Sequence, residues 1–232
     1  MAFRKVLELV VSNFLFFSMN LSTKAAGVLA KVSGRDTKLG DVRKIANEIK
    51  KDHELAMELW LTGKYLARQL AILIMDKKLL SQALIDLLDS DMRQHDEAER
   101  LQLVEWLMAN QLSKDKKTIA LMESWEHSRS SLQRRIFWYY QARLRWVGQT
   151  PPPNTEELLS KIENQIEHEE PEVQWAMNFL AAQIGIFQKE YRNRCEKLGE
   201  RTGLYKDEIV AKNCTPNYLP KFIAIQVAKL NK

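Results

Sequence analysis

The chain has 232 residues, of which 45% are hydrophobic, and this composition is ample for a folded core in one extended domain or two small ones. Lysine and arginine number 35 against 30 aspartates and glutamates, and the net charge of +5 suits a polyanionic partner without demanding one. The two cysteines, Cys195 and Cys214, form no C-x-x-C pair and the histidines show no ligand spacing, which argues against a disulfide framework or a metal site and fits a reducing cytoplasm.

Residues 1–35 are predicted to form an N-terminal helical segment. Its first part, MAFRK followed by VLELVVSNFLFFSMNL, resembles the charged and apolar regions of a signal peptide. Glu8 and Asn13 interrupt that pattern, and the run is too short and too polar to span a bilayer. We therefore interpret it as an amphipathic helix, with a targeting segment as the alternative, and expect no membrane partner.

Three amphipathic helices with almost no room for loops are predicted between Lys38 and Asp76. The apolar stripe of the first is Val42, Ile45, Ala46 and Ile49, at the spacing of one helix face. Asp52 is placed to cap the second helix, and Gly63 supplies the permissive backbone that ends it. Helices this short cannot bury their stripes alone, so neighbours must stack, and the pattern predicts an all-α fold, an α-solenoid of HEAT-like helical repeats.

The rest of the chain continues the helical rhythm. Breaks are predicted at residues 33–37, 89–91 and 151–154, the last at three prolines. The rhythm fails over residues 203–220, which indicate an irregular connection before a last helix. We expect residues 1–232 to form a single HEAT-like repeat domain and a monomer, with residues 203–232 as a C-terminal extension packed on it.

Four segments carry a resemblance to a known family. They are LGDVRKIANEIKKDHELAMELWLTG, LQRRIFWYYQARL, VQWAMNFLAAQIG and GLYKDEIVAKNCTPNYLPKFI, in that order along the chain. Over about Lys38 to Phe222, the chain resembles the AlkD-like DNA alkylation repair proteins, HEAT-like solenoids that include alkylpurine DNA glycosylases. The fourth segment is similar to the C-terminal extension of one branch of that family.

The resemblance implies a positively charged groove that holds duplex DNA and probes for cationic alkylated purines, with neither metal nor cofactor. Active members hydrolyse the N-glycosidic bond of the lesion. Because an alkylated purine is already a good leaving group, such an enzyme mainly needs a carboxylate that stabilises the cationic sugar and positions water. Aromatic side chains beside the lesion would add cation–π attraction of about 0.5 to 2 kcal/mol each.

The family's catalytic motif is not in place. Counted back from Arg134 of the LQR element, the family's catalytic aspartate falls at Glu99 or Arg100, and the tryptophan one turn earlier falls near His95 or Asp96. Glu99 is the candidate substitute carboxylate, and an ordinary solvated or paired charge is the alternative. We therefore expect base excision to be weak or absent.

The resemblance and the helix faces also name candidate DNA contacts. Arg134 aligns with a phosphate-binding arginine of the family, with an interhelical salt bridge as the alternative. Trp175 and Phe179 share a side of one helix, and Trp106 shares a side with Glu99; each is either a groove residue or packing between repeats. Sequence-independent phosphate contacts are expected from a further set of cations, namely Arg43, Lys44, Lys50, Lys51 and Arg68.

These observations favour a DNA-binding protein that recognises alkylated or distorted duplex DNA. Two alternatives remain open at this point. One is an active glycosylase that releases 3-methyladenine or 7-methylguanine. The other is a solenoid scaffold for a protein partner, which no particular motif supports.

Overall fold

The computed structural model describes residues 21–146 and 148–230, and within these ranges the regular secondary structure is helical, without strands. Residues 1–20 of the predicted N-terminal amphipathic helix lie outside the described residues. The described chain divides into two compact units, the first ending at Ile119 and the second beginning at Ala120. A single domain therefore stays a prediction. None of the helices in the described ranges has both the length and the apolar composition that a membrane crossing requires.

The first unit contains six helices and the start of a seventh at its boundary. These are α1 (Thr23–Val32), α2 (Leu39–Ile49), α3 (His53–Leu61), α4 (Tyr65–Ile74), α5 (Gln82–Met92), α6 (Glu97–Asn110) and α7 (Lys116–Glu123). Helix α4 packs against α2, α3 and α6, so that consecutive pairs stack on one another. The apolar faces enclose Trp60, Leu59, Leu70 and Ile74, all fully buried. Stacked neighbours bury the apolar face that a single short helix would leave exposed to solvent.

Local sequence signals explain where these helices begin and end. The Asp52 carboxylate accepts a hydrogen bond from the backbone N–H of Leu55 at 3.1 Å, which is the predicted N-terminal cap of α3. Gly63 follows that helix with a φ of 67°, in the left-handed region that glycine adopts without strain. Both predictions are confirmed, as is the break between α1 and α2.

The break predicted at residues 89–91 is wrong, because α5 continues to Met92. Asp89 is buried inside this helix, and its carboxylate accepts a hydrogen bond from Nε of Arg93, one turn later, at 3.0 Å. Asp91 in turn accepts a hydrogen bond from the indole N–H of Trp60 at 2.7 Å. An aspartate without such a partner favours a turn, because its carboxylate competes for backbone N–H groups. These hydrogen bonds occupy both carboxylates, so the helix continues.

The second unit is built around one long helix. Its helices are α8 (Ser131–Arg143), α9 (Thr155–Gln165), α10 (Pro171–Phe187), α11 (Arg192–Thr202) and α12 (Leu219–Leu230). Helix α10 packs against the other four, most extensively against α8, and its buried positions include Ala176, Leu180 and Ile184. The three prolines of residues 151–153 precede α9, as expected.

Helix α12 packs closely on α10 and α11 at two glycines. A Cβ atom at Gly185 would lie 2.5 Å from Cδ1 of Ile223, and one at Gly199 would lie 2.6 Å from Cδ of Pro220. Between α11 and α12 the chain is irregular, and the carbonyl of Asn217 accepts a hydrogen bond from Nδ2 of Asn178 on α10 at 2.8 Å. Glycine thus permits the backbone approach that holds the C-terminal helix in place.

Candidate functional site

Four half-buried aromatic side chains come together on the second unit, and we call them the aromatic platform: Tyr139, Trp175, Phe179 and Phe222. Trp175 and Phe179 lie one turn apart on α10 and stack with their ring centroids 5.2 Å apart and their planes 5° from parallel. Tyr139 of α8 and Phe222 of α12 meet the Phe179 ring at 5.4 and 6.1 Å. Each ring therefore keeps part of its surface open to solvent.

A buried cation supports the platform. Cζ of Arg135 lies 4.3 Å from the centroid of the Trp175 ring, and Nη1 donates a hydrogen bond to the carbonyl of Glu172 at 2.9 Å. Arg135 is 3% exposed, so its charge acts from beneath the ring rather than from solvent. The cation–π attraction and the backbone contact fix Trp175 in position.

An open cavity of about 480 Å³ adjoins the platform in the same unit. Its walls are formed by Phe179 and Phe222 of the platform together with Trp146 and Phe187. We call it the apolar cavity. Trp146 is itself held by Arg143, whose Cζ lies 4.8 Å from its ring centroid.

The first unit presents a second feature, which we call the cationic pocket: about 380 Å³ lined by Arg43, Asn47, Lys50 and Asn110, with Ala46 and Leu73 below them. Neither Arg43 nor Lys50 forms an ion pair with a carboxylate of the described residues. Lys50 has φ 66° and ψ −114°, a conformation that costs free energy for a residue with a side chain. The pocket thus combines free positive charge with amide donors, which suits an anion.

Two other predicted residues neighbour Arg43, namely Trp106 in space and Lys44 in the sequence. Trp106 is half-buried, its indole N–H donates a hydrogen bond to the carbonyl of Gln69 at 3.2 Å, and Arg43 lies over its ring. Lys44 is exposed, without an ion pair to a carboxylate in the part of the chain that the structure describes. Lys51, by contrast, pairs with Asp76 at 2.9 Å.

Arg68 does not lie where we expected it. It is 3% exposed, its Cζ lies 4.9 Å from the Trp60 ring centroid, and Nη1 donates a hydrogen bond to the carbonyl of Asp91 at 2.6 Å. Burial lowers the pKa of Arg68 from its ordinary value, and the nearby Asp91 opposes that shift. Because its guanidinium is inside the first unit, we correct the expected phosphate contact of Arg68 to a structural role.

Arg134 forms the salt bridge that stood as the alternative to phosphate binding. Its Nη2 lies 3.0 Å from Oε2 of Glu169 and also contacts Glu170, while Nη1 donates to the carbonyl of Ser128 at 2.7 Å. Burial opposes the charge of Arg134, yet the hydrogen bonds to the two glutamates raise its pKa above the ordinary value. These contacts engage its guanidinium with the segment before α8 and with the segment before α10.

Glu99 lies on α6, one turn after His95, and the two side chains are in contact. Oε2 of Glu99 is 2.6 Å from Nδ1 of His95, and the glutamate side chain is 38% exposed. Burial, and then the negative charges of Glu99 and Asp96, raise the pKa of Tyr65, which packs edge-on against His95. This contacting pair lies at the positions near which the resemblance places the family's tryptophan, at His95 or Asp96, and its aspartate, at Glu99 or Arg100.

Sequence reasoning found Trp175 and Phe179 but missed the residues that complete their surroundings. Tyr139, Trp146 and Phe222 come from α8, the turn after it and α12, and no spacing in the sequence links them to α10. Phe187 lies at the end of α10, eight residues after Phe179, so helical periodicity could have placed it on the same side. Within the described ranges, no group of three or more histidine, cysteine, aspartate or glutamate side chains is placed to hold a metal ion.

Comparison with known proteins gives a family and a fold. The model of a family described as DNA alkylation repair enzyme matches residues 32–193. One solved structure, described as a new family of proteins related to the HEAT-like repeat DNA glycosylases with affinity for branched DNA structures, has 19% sequence identity and a TM-score of 0.58. The match covers 95% of this chain and 93% of that one. None of the curated proteins compared with the chain matches it significantly. The predicted family resemblance and the all-α, HEAT-like repeat fold are confirmed.

Proposed function

The chain belongs to the DNA alkylation repair enzyme family, and we propose that it binds alkylated or distorted duplex DNA, with base excision weak or absent. The observation that carries this proposal is the stack of Trp175 on Phe179, half-buried and held from beneath by Arg135. Partly open aromatic rings are suited to contacts with unstacked bases.

The aromatic platform supplies contacts to bases without reading their sequence. Stacking of a base on an aromatic side chain contributes about 1 to 3 kcal/mol, and every base offers a π face. A distorted or damaged site costs less to unstack than regular duplex, so a stacking surface favours such sites. The solved structure similar to this chain is described as having affinity for branched DNA, and we extend the proposal to branched DNA on that ground.

The cationic pocket supports contacts to phosphates. Arg43 and Lys50 carry charges that no described carboxylate neutralises, and exposed Lys44 adds a third. Contacts of this kind give affinity and orientation but no sequence preference, and they weaken as salt rises because counterions are released on binding.

The state of the residues at the expected catalytic positions supports the proposal of weak excision. The Glu99 carboxylate is bound to His95 and is more than one third exposed, so water screens its stabilisation of a cationic sugar. Arg134 is engaged by Glu169 and Glu170. We keep Glu99 as the candidate carboxylate should excision occur, and we propose a cytoplasmic monomer without metal or cofactor.

A binding assay and a base-release assay on the same substrates test this proposal. Undamaged duplex, duplex with 7-methylguanine and a branched substrate are titrated with the full chain at increasing salt, and release of free base is measured in parallel. We expect salt-dependent binding that favours the damaged and branched substrates, with little base release. Robust release that disappears in Glu99→Gln would make the chain an active glycosylase. Binding that is undetectable or insensitive to salt would remove the DNA assignment and favour a protein scaffold.

A further inference from the structure

The apolar cavity has walls typical of a site for a flat aromatic ligand. Phe179, Phe222, Trp146 and Phe187 present four rings around about 480 Å³, within the size range of small-molecule sites. Aromatic walls favour offset or edge contacts with another π system and contribute beyond the area they bury. A flat conjugated ring matches such walls better than a flexible chain does.

One polar side chain in this cavity lacks a partner. Gln183 of α10 lines the cavity, is 6% exposed, and makes no hydrogen bond to any residue in the described part of the chain. Its amide atoms keep contact with the open cavity, so they are free to hydrogen-bond a ligand that has its own donors and acceptors. An acyl chain or an apolar helix would leave that amide unsatisfied.

A second amide and a cation lie at the same cavity. Gln226 of α12 donates through Nε2 to Oγ1 of Thr215 at 3.0 Å, which fixes its amide and leaves its carbonyl oxygen without a partner among the described residues. Lys229 also lines the cavity, is exposed, and pairs with no described carboxylate. The cavity therefore offers π faces, amide edges and one positive charge within one unit.

We propose that the apolar cavity receives a single unpaired nucleobase of bound DNA. Phe179 and Phe222 contact its face, Gln183 hydrogen-bonds its edge, and Lys229 pairs with a neighbouring phosphate. The proposal rests on the proposed function and deepens it, since it names the feature of distorted or branched DNA that is recognised. A free nucleobase or mononucleotide shares this chemistry, and the experiment separates the two sources.

The test uses 2-aminopurine, a fluorescent adenine analogue whose emission changes on stacking, in three forms: unpaired opposite a gap, paired in intact duplex, and as a free mononucleotide. The full chain is titrated against each. We expect the emission to change for the unpaired base and to remain nearly constant for the paired one. Gln183→Leu should lower the affinity for the gapped substrate about tenfold and leave the affinity for intact duplex unchanged. Gln174→Leu, on the same helix outside the cavity, should change neither affinity.

Three outcomes would overturn the inference, each in a different way. If the wild-type chain binds no DNA, the proposed function fails and the inference fails with it. If DNA is bound but Gln183→Leu and Phe187→Ala affect gapped and intact substrates equally, the cavity is not a base site although the proposed function stands. If the free mononucleotide binds as tightly as the gapped DNA and displaces it, the ligand is a small molecule rather than a base held in DNA.

Discussion

Cζ of Arg43 lies 4.7 Å from the centroid of the Trp106 ring, so a cation on α2 is held over an aromatic side chain on α6. Arg43 remains exposed and has no carboxylate partner within the described residues. An arginine that is already held in one orientation loses less side-chain entropy when it binds a phosphate than a freely moving one. Arg68 lies over an aromatic ring in the same way but is buried, so this relationship distinguishes Arg43 from the other exposed cations described in the first unit.

Arg43→Ala should therefore weaken DNA binding for all sequences alike. We expect the slope of log affinity against log salt to fall by about one, the loss of one phosphate contact. Lys51→Ala is the matched control, because Lys51 already pairs with Asp76 and should leave the slope almost unchanged. Salt titrations of both variants by fluorescence anisotropy make the measurement. Equal slopes for Arg43→Ala and the wild-type chain would exclude Arg43 as a phosphate contact.

The aromatic platform should depend on the ring of Trp175 rather than on its hydrophobic bulk. Trp175→Leu should weaken binding to distorted DNA by about 1 to 3 kcal/mol, because a leucine offers a base no aromatic edge and gives Phe179 no stacking partner. Trp175→Phe keeps an aromatic face and should retain most of the affinity. Circular dichroism confirms that both variants fold. If the leucine and phenylalanine variants bind equally well, Trp175 packs the core and does not contact bases.

Arg134 should contribute to stability more than to DNA affinity. Because Arg134→Ala removes hydrogen bonds between charged groups that are 13% and 17% exposed, we expect the free energy of unfolding to fall by about 1 to 3 kcal/mol. Denaturant unfolding of Arg134→Ala, Glu169→Gln and the double variant measures their coupling. If Arg134→Ala leaves stability unchanged but lowers the slope of log affinity against log salt by about one, Arg134 contacts a phosphate instead.

The sequence was sufficient for much of the fold because its signals are local. The stripe from Val42 to Ile49, the cap at Asp52 and the glycine at Gly63 each act within a few residues. The break expected at residues 89–91 is wrong for the opposite reason, since the Asp91 carboxylate accepts a hydrogen bond from Trp60 of α3, which is distant in the sequence. Such partners are not visible in a short window.

The candidate site was only half visible for the same reason. Trp175 and Phe179 are one turn apart, so their common face follows from helical periodicity. Tyr139 and Phe222 reach them from α8 and α12, and only tertiary packing brings them together. Arg68 shows the reverse error, because an arginine in an amphipathic helix was expected at the surface, whereas Trp60 and Asp91 hold it inside.

The first unit should lose stability in acid partly through Asp52. Hydrogen bonds from Lys24 and from the Leu55 N–H lower the pKa of Asp52 below its ordinary value of 3.8. The unfolded chain then takes up this proton at a higher pH than the folded one, so the stabilisation is present above pH 3.8 and is lost as the pH falls through the lowered pKa. Asp52→Asn should have a lower melting temperature than the wild-type chain at neutral pH. The difference between the two melting temperatures should shrink as the pH falls into the acid range. Asp36→Asn, at an exposed position, is the control, and its difference in melting temperature from the wild-type chain should not change with pH in this way.

The position of α12 should depend on Gly199. This helix bears Phe222 of the aromatic platform and forms one wall of the apolar cavity. A Cβ atom there would lie 2.7 Å from Cβ of Leu219 and 2.6 Å from Cδ of Pro220, neither of which is the end of a flexible side chain. Gly199→Ala should therefore lower the free energy of unfolding by about 1 to 3 kcal/mol and weaken binding to gapped DNA.

Gly27→Ala is the matched control, because nothing lies within 4 Å of a Cβ atom built at that exposed helical position. It should raise stability by about 0.5 to 1 kcal/mol, the helix propensity gained over glycine, and leave DNA binding unchanged. Thermal unfolding and the gapped-substrate titration measure both effects. Equal stability of the two variants would show that α12 moves aside at little cost, and the apolar cavity would then lack the rigid wall that selects one flat base.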